Sequence, residues 1–165
     1  MTTTPTGHPA TVRWTAEGWD APAPSGLRRL MDTELAPRYA PFEHRRVRPP
    51  QPVAEEILIT WVGYAGRLPV ATASLRALPD RVEVKRVFVV PGYRGSGLAK
   101  AALTAVETTA AERGTRRLWL QTGELQPEAQ GLYVRAGWQR VPAYPPYEKD
   151  PFSICFAKSL VSGAP

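Results

Sequence analysis

VEVKRVFVVPGYRGSGLAKAA, residues Val82 to Ala102, begins as a strand and ends as a helix. Val82 to Val90 is a β-branched and aromatic run, stopped by Pro91 and Gly92. From Gly97 to Arg113 the period changes. Leu98, Ala102, Leu103 and Val106 fall on one helical stripe, and Gly114 ends it. Between the two lies Arg94-Gly95-Ser96-Gly97-Leu98-Ala99. A loop that opens a helix presents backbone N–H groups that the first turn cannot use internally. They converge, and the helix dipole adds positive potential where they meet. Glycines let an anion approach the backbone closely. Arg94 adds a charged donor at the rim. The segment reads as an anion site of a size that suits a diphosphate.

The flanking sequence supplies the rest of a domain. Val12 to Ala16 reads as a short strand, and Leu27 to Tyr39 as a helix capped by Ser25 and bent or ended by Pro37. Pro41 to Pro52 is a loop rich in proline and arginine. Glu56 to Tyr64 and Pro69 to Leu78 form a hairpin around Gly66. After the glycine loop come a strand (Arg117 to Thr122), a helix (Pro127 to Ala136, closed by Gly137) and two strands, Trp138 to Val141 and Ser153 to Leu160. The strand–helix–strand crossover implies local parallel pairing, and the hairpins imply antiparallel pairing. The expected fold is a single-domain α/β arrangement, with a mixed, mostly antiparallel central sheet flanked by helices.

Composition narrows the class. The chain has 165 residues, room for one domain. Residues 1–10 read as a disordered tail and 11–165 as the domain. No apolar run is long enough to span a membrane, and the Thr- and Pro-rich start is no signal peptide, so the cytoplasm is expected. The single Cys155 excludes an internal disulfide. With no His nearby it reads as a packing thiol rather than a nucleophile. His8 and His44 have no partners at ligand spacing, so no metal site is expected. The net charge of +6 comes from scattered Lys and Arg, and nucleic acid is not expected as a partner.

Two well-known phosphate loops do not fit. No Lys-Ser or Lys-Thr closes a Walker loop, and Lys100 stands where a Rossmann fingerprint needs its third glycine. The pattern that fits is R/Q-x-x-G-x-G/A, here Arg94, Gly97 and Ala99. It resembles the GNAT superfamily of N-acetyltransferases. Leu118 to Trp138, LWLQTGELQPEAQGLYVRAGW, extends the resemblance with a strand and a Leu-Tyr-x-x-x-Gly-Trp helix end. The likeness covers roughly Glu55 to Leu160.

The resemblance implies acetyl-CoA as cosubstrate and an amine as acceptor. It implies that the backbone of Val87, Phe88 and Val89 pairs with the pantetheine arm, where two strands splay apart, and that Arg94, Gly95, Ser96, Gly97, Leu98 and Ala99 hold the diphosphate. Tyr133 stands where the family places a general acid for the leaving thiolate. A phenol of pKa about 10 matches that basicity. Glu83, eleven residues ahead of Arg94, stands at the offset of a general base. It can equally pair with Lys85 two residues on, or with an arginine across the strand. Glu124 and water are the alternatives. Gln126 replaces an Asn found in many members and keeps an amide. Transfer is expected to be direct, in a ternary complex.

The acceptor is less legible. Leu27 to Pro52 and Ala143 to Phe152 should bind it. In AYPPYEKDPF, Glu148 and Asp150 beside tyrosines would suit a cationic amine, and the stretch reads equally as an ordinary proline-rich loop. A small or amino-acid-like amine is expected first, a protein amine second. A non-catalytic acyl-CoA sensor is the rival reading, and an exposed sheet edge leaves room for a homodimer.

Overall fold

The computed structural model describes residues 11–160, so the expected tail and His8 lie outside it. Seven strands form one sheet: β1 (Val12–Glu17), β2 (Ile57–Ala65), β3 (Leu68–Leu78), β4 (Arg81–Val89), β5 (Arg117–Gly123), β6 (Gln139–Val141) and β7 (Ser153–Ser159). Three α-helices accompany them: α1 (Pro22–Tyr39), α2 (Leu98–Glu112) and α3 (Pro127–Arg135). The strand order is β1-β2-β3-β4-β5-β7-β6. All neighbours are antiparallel except β4 and β5, which the α2 crossover makes parallel. The expected mixed sheet is therefore the observed one.

The two faces are covered differently. Val84, Leu118, Leu120, Ile154 and Phe156 face Ala102, Leu103 and Val106 of α2, with Tyr133 of α3 and Trp138. Side chains alternate along a strand, so the intervening residues face the other way. There Val62 and Phe88 receive Leu27 of α1, and Trp119 and Cys155 receive Tyr144 and Tyr147. Cys155 is thus a buried packing residue, its thiol pushed up by burial.

One element departs from expectation. Helix α1 starts at Pro22, five residues before Leu27, and its N-cap is Ala21 rather than Ser25. Pro22 and Pro24 sit in the first turn, where a missing N–H costs nothing. Ser25 lies inside the helix and accepts a bond from Arg28 Nη2 at 3.2 Å. Pro37 falls in the last turn, and the helix runs through it to Tyr39. Among the described residues no helix is long and apolar enough to cross a membrane.

Candidate active site

β4 and β5 pair only over Val82–Val84 against Leu118–Leu120. Beyond that point the strands diverge, and β5 continues with β7. β4 also carries a bulge: Arg86 and Val87 both stand opposite Ala73, between the pairs Ser74–Lys85 and Thr72–Phe88. Arg86 takes a left-handed conformation to make it, with φ 58°. The divergence leaves backbone groups of β4 without a strand partner on the β5 side.

A cavity of about 530 Å³ opens there. Its walls include Val87, Phe88 and Val89 from β4, Arg94, Gly95, Gly97, Leu98 and Ala99 from the loop, and Gln126 and Tyr133 from α3 and its cap. Gly95 and Gly97 have φ of 79° and 81°, which a side chain resists. Gly97 is the N-cap of α2, so the first amides of the helix point toward the loop. Of the expected ligand-binding residues, Ser96 alone does not line this space; its hydroxyl donates to the Tyr93 carbonyl at 2.6 Å. Arg94 does line it, but its fork is engaged. Nε donates to Val89 O at 2.9 Å, and both terminal nitrogens meet Glu34 of α1 at 2.6 Å. Arg94 thereby fastens the loop to β4 and α1.

A second cavity, about 520 Å³, lies on the α1 side. The two share Met31 and Leu35 of α1, Val87, Gln126, Ala129 and Tyr133 in their walls. Tyr133 is only 7% exposed, between Trp138 and Phe156, and what surface remains opens into both spaces. Burial alone raises its pKa, so the phenol stays protonated. Gln126 caps α3 and donates to Tyr39 Oη at 3.2 Å. Gly123 permits this, because a Cβ there would stand 1.6 Å from that hydroxyl.

Glu83 lines neither cavity. It is fully buried. Tyr144 donates to its Oε2 at 2.6 Å and Tyr147 to its Oε1 at 2.8 Å. Arg76, its cross-strand partner, stands 3.5 Å away and Lys85 Nζ 3.9 Å away. Both pairings open to it in the sequence are therefore made, and its two oxygens face these partners rather than either cavity. Glu124 is exposed in the turn after β5 and lines neither space.

The acidic cup expected from Ala143 to Phe152 is also absent. Asp150 is buried against Arg46, with Nη2 at 2.9 Å, and accepts the Phe152 amide. Glu148 is exposed outside both cavities. Tyr144 and Tyr147 close over Glu83 instead. The second cavity is faced by Arg46, Arg48, Lys85 and Arg86, with Asp32 as its only lining carboxylate. Arg46 and Arg48 come from the arginine-rich loop within the segment expected to bind the acceptor, but nothing local in the sequence shows that they meet Lys85 and Arg86.

A sheet that opens beside a glycine loop, with two cavities meeting at one tyrosine, can seat two molecules. Comparison with known proteins gives that arrangement a family. Residues 27–138, more than half the chain, match the model of the acetyltransferase (GNAT) family, and the chain belongs to that family. A 78-residue stretch is 36% identical to the IAA acetyltransferase of Azospirillum brasilense, covering 47% of this chain and 51% of that one. A 58-residue stretch is 36% identical to an uncharacterised N-acetyltransferase of Mycobacterium tuberculosis, covering 35% and 37%. The matches thus span about half or less of these relatives' lengths. Among solved structures, an acyl-CoA N-acyltransferase candidate from Klebsiella pneumoniae superposes with a TM-score of 0.75 at 25% identity, over 92% of this chain and 99% of that one. A GNAT acetyltransferase from Elizabethkingia anophelis, solved with acetyl-CoA bound, shares the fold at 14% identity, TM-score 0.64, over 90% and 97%.

Proposed function

We propose that the protein transfers an acetyl group from acetyl-CoA to a primary amine, with both molecules bound at once. The supporting observation is that the two cavities meet at Tyr133. Acetyl-CoA takes the space lined by Val87–Val89 and the loop. Its pantetheine amides pair with the free β4 backbone, and its diphosphate receives the amides of Gly95 to Ala99 at the start of α2. Ser96 contributes through its backbone only, since its hydroxyl is turned away. The acceptor enters from the α1 side. A cleft of about 520 Å³ suits a small or amino-acid-like amine more than a folded protein's terminus.

The amine nitrogen attacks the thioester carbonyl, a C–N bond forms and the C–S bond breaks. The electron pair leaves on sulfur, Tyr133 gives it a proton, and the proton shed by the new amide nitrogen passes through water to restore the phenol. Before attack the ammonium loses a proton to water in the open cleft. Glu83 serves as the buried counter-charge that fixes Tyr147 and Lys85, rather than as the group that touches the amine.

The test is calorimetry with acetyl-CoA, followed by a screen of amines, amino acids, aminoglycosides and peptides read by thiol release. Micromolar binding and turnover with a small amine are expected. Absence of binding to any coenzyme A thioester would remove the proposal. Binding without turnover would leave a sensor of the same fold, and turnover confined to peptides would move the acceptor to a protein.

A further inference from the structure

Resting on that reading of the acceptor side, we infer that the acceptor amine also carries a carboxylate, seated on Lys85 at the floor of the second cavity. All four cations lining that cavity have a carboxylate nearby, and three of them hold it at hydrogen-bond distance. Arg46 is held by Asp150 at 2.9 Å, Arg48 by Glu43 at 2.7 Å, and Arg86 by Asp32 at 2.6 Å with Gln51 beside it. Lys85 is the exception. Its ammonium donates to Tyr147 Oη at 3.0 Å. Its nearest carboxylate oxygen, Glu83 Oε1, is 3.9 Å off and already takes Tyr147 and Arg76. An ammonium has three donors, so Lys85 keeps hydrogen-bonding capacity for a ligand.

The backbone bulges beside Lys85, and Val84, Lys85, Arg86 and Val87 all contribute atoms to the wall of this cleft. Arg86 makes the bulge by taking a left-handed conformation. A non-glycine residue held in that region persists only where the surroundings impose it, often at ligand sites. Burial has a second effect: it lowers the Lys85 pKa to about 8, the mark of a desolvated cation without sufficient counter-charge. An acceptor bearing only an ammonium would bring a further positive charge to Lys85, whose own carboxylate neighbour stands 3.9 Å away. A carboxylate beside the amine supplies the missing charge and leaves the nitrogen free to turn toward Tyr133.

The experiment compares acceptors that differ only in that group, such as an amino acid, its amide and its decarboxylated amine, at saturating acetyl-CoA. The carboxylate form should have kcat/KM about tenfold or more above the others, as expected for a charge-assisted hydrogen bond. Lys85→Met should collapse that ratio through KM rather than kcat, and Lys85→Arg should retain much of it. Equal or better turnover of carboxylate-free amines by the wild type would overturn the inference, as would an unchanged ratio in Lys85→Met. A second readout does not need turnover. An N-acetylated amino acid titrated into the CoA-loaded protein should bind, and binding should weaken in Lys85→Met and recover in Lys85→Arg. If acetyl-CoA binds but no amine is acetylated, the proposed reaction fails. This titration then still decides the carboxylate site, with binding independent of Lys85 counting against it.

Discussion

The two sides of the splay are built from different materials. On the loop side, the polar groups offered to a ligand are mostly backbone: the strand of Val87–Val89 and the helix start after Gly97, with an apolar wall behind. On the α1 side they are side chains, cations tied to carboxylates, two of them on distant segments. Backbone binding depends on chain geometry, so any sequence that permits the geometry will serve. Side-chain binding depends on which residues a tertiary fold brings together. The first side therefore suits a cosubstrate common to a family, and the second an acceptor particular to one member.

Tyr133 belongs to both sides, and replacing it gives the largest expected effect. Tyr133→Phe keeps the ring in its aromatic packing and removes the proton. It should lower kcat about 100-fold or more, with acetyl-CoA affinity within about twofold. A loss of affinity in step with activity would make Tyr133 a binding residue and dissolve the shared centre. Glycine substitutions then separate the sides. Nothing lies within 4 Å of a Cβ at Gly97, so Gly97→Ala acts by backbone strain alone, about 1–2 kcal/mol. It should weaken acetyl-CoA about tenfold by calorimetry. Gly123→Ala instead drives Tyr39 and Gln126 apart. It should raise acceptor KM more than the acetyl-CoA Kd, and cost about 1–3 kcal/mol of stability.

The same division explains what the sequence revealed. The loop side was legible because its signals are local: a β-branched run, glycines at fixed offsets, then a helical stripe. The start of α1 was not, because Pro22 and Pro24 look like breakers until the helix is known to begin at them. The acceptor side was hidden by distance. Lys85 meets Tyr147 62 positions on, and Arg46 meets Asp150 104 positions on. Glu83 shows the boundary. Its possible neighbours Lys85 and a cross-strand arginine could be named, but not the two tyrosines that seal it. A residue at the right offset for a base is thus enclosed by partners that offset cannot predict.

The buried charges also give the acceptor side a pH signature that the backbone side lacks. The Lys85 pKa of about 8 in the fold lies below its ordinary value of 10.5. Below pH 8 both folded and unfolded forms hold the proton. Between about 8 and 10.5 the unfolded chain binds more, so stability rises with pH, on the order of 2–3 kcal/mol at most. Above about pH 10 the raised pKa values of Tyr133, Tyr144 and Tyr147 reverse the trend, since the unfolded tyrosines lose their protons first. Denaturant midpoints should climb from about pH 8 to 9 in the wild type and lose that rise in Lys85→Met, in which the raised Cys155 thiol leaves only a decline above about pH 9. A level wild-type curve would mean that the ammonium is solvated after all.

The smallest effect concerns the charged pair that fastens the glycine loop. Arg94 and Glu34 meet through two short bonds but are partly exposed, so the pair should stabilise the fold by less than about 1 kcal/mol. Its influence on ligand binding is more informative, because Glu34 and a diphosphate would share one fork. If they compete, Glu34→Gln frees the guanidinium and acetyl-CoA binds a few-fold tighter at low salt, the gain fading as salt screens it. If Glu34 instead holds Arg94 in the pose the diphosphate needs, the same substitution weakens binding. Arg94→Ala in the Glu34→Gln background distinguishes the two. Competition predicts a larger loss from Arg94→Ala when Glu34 is gone, and positioning predicts a smaller one. The second result would extend side-chain construction to the loop side and narrow the contrast between the two cavities.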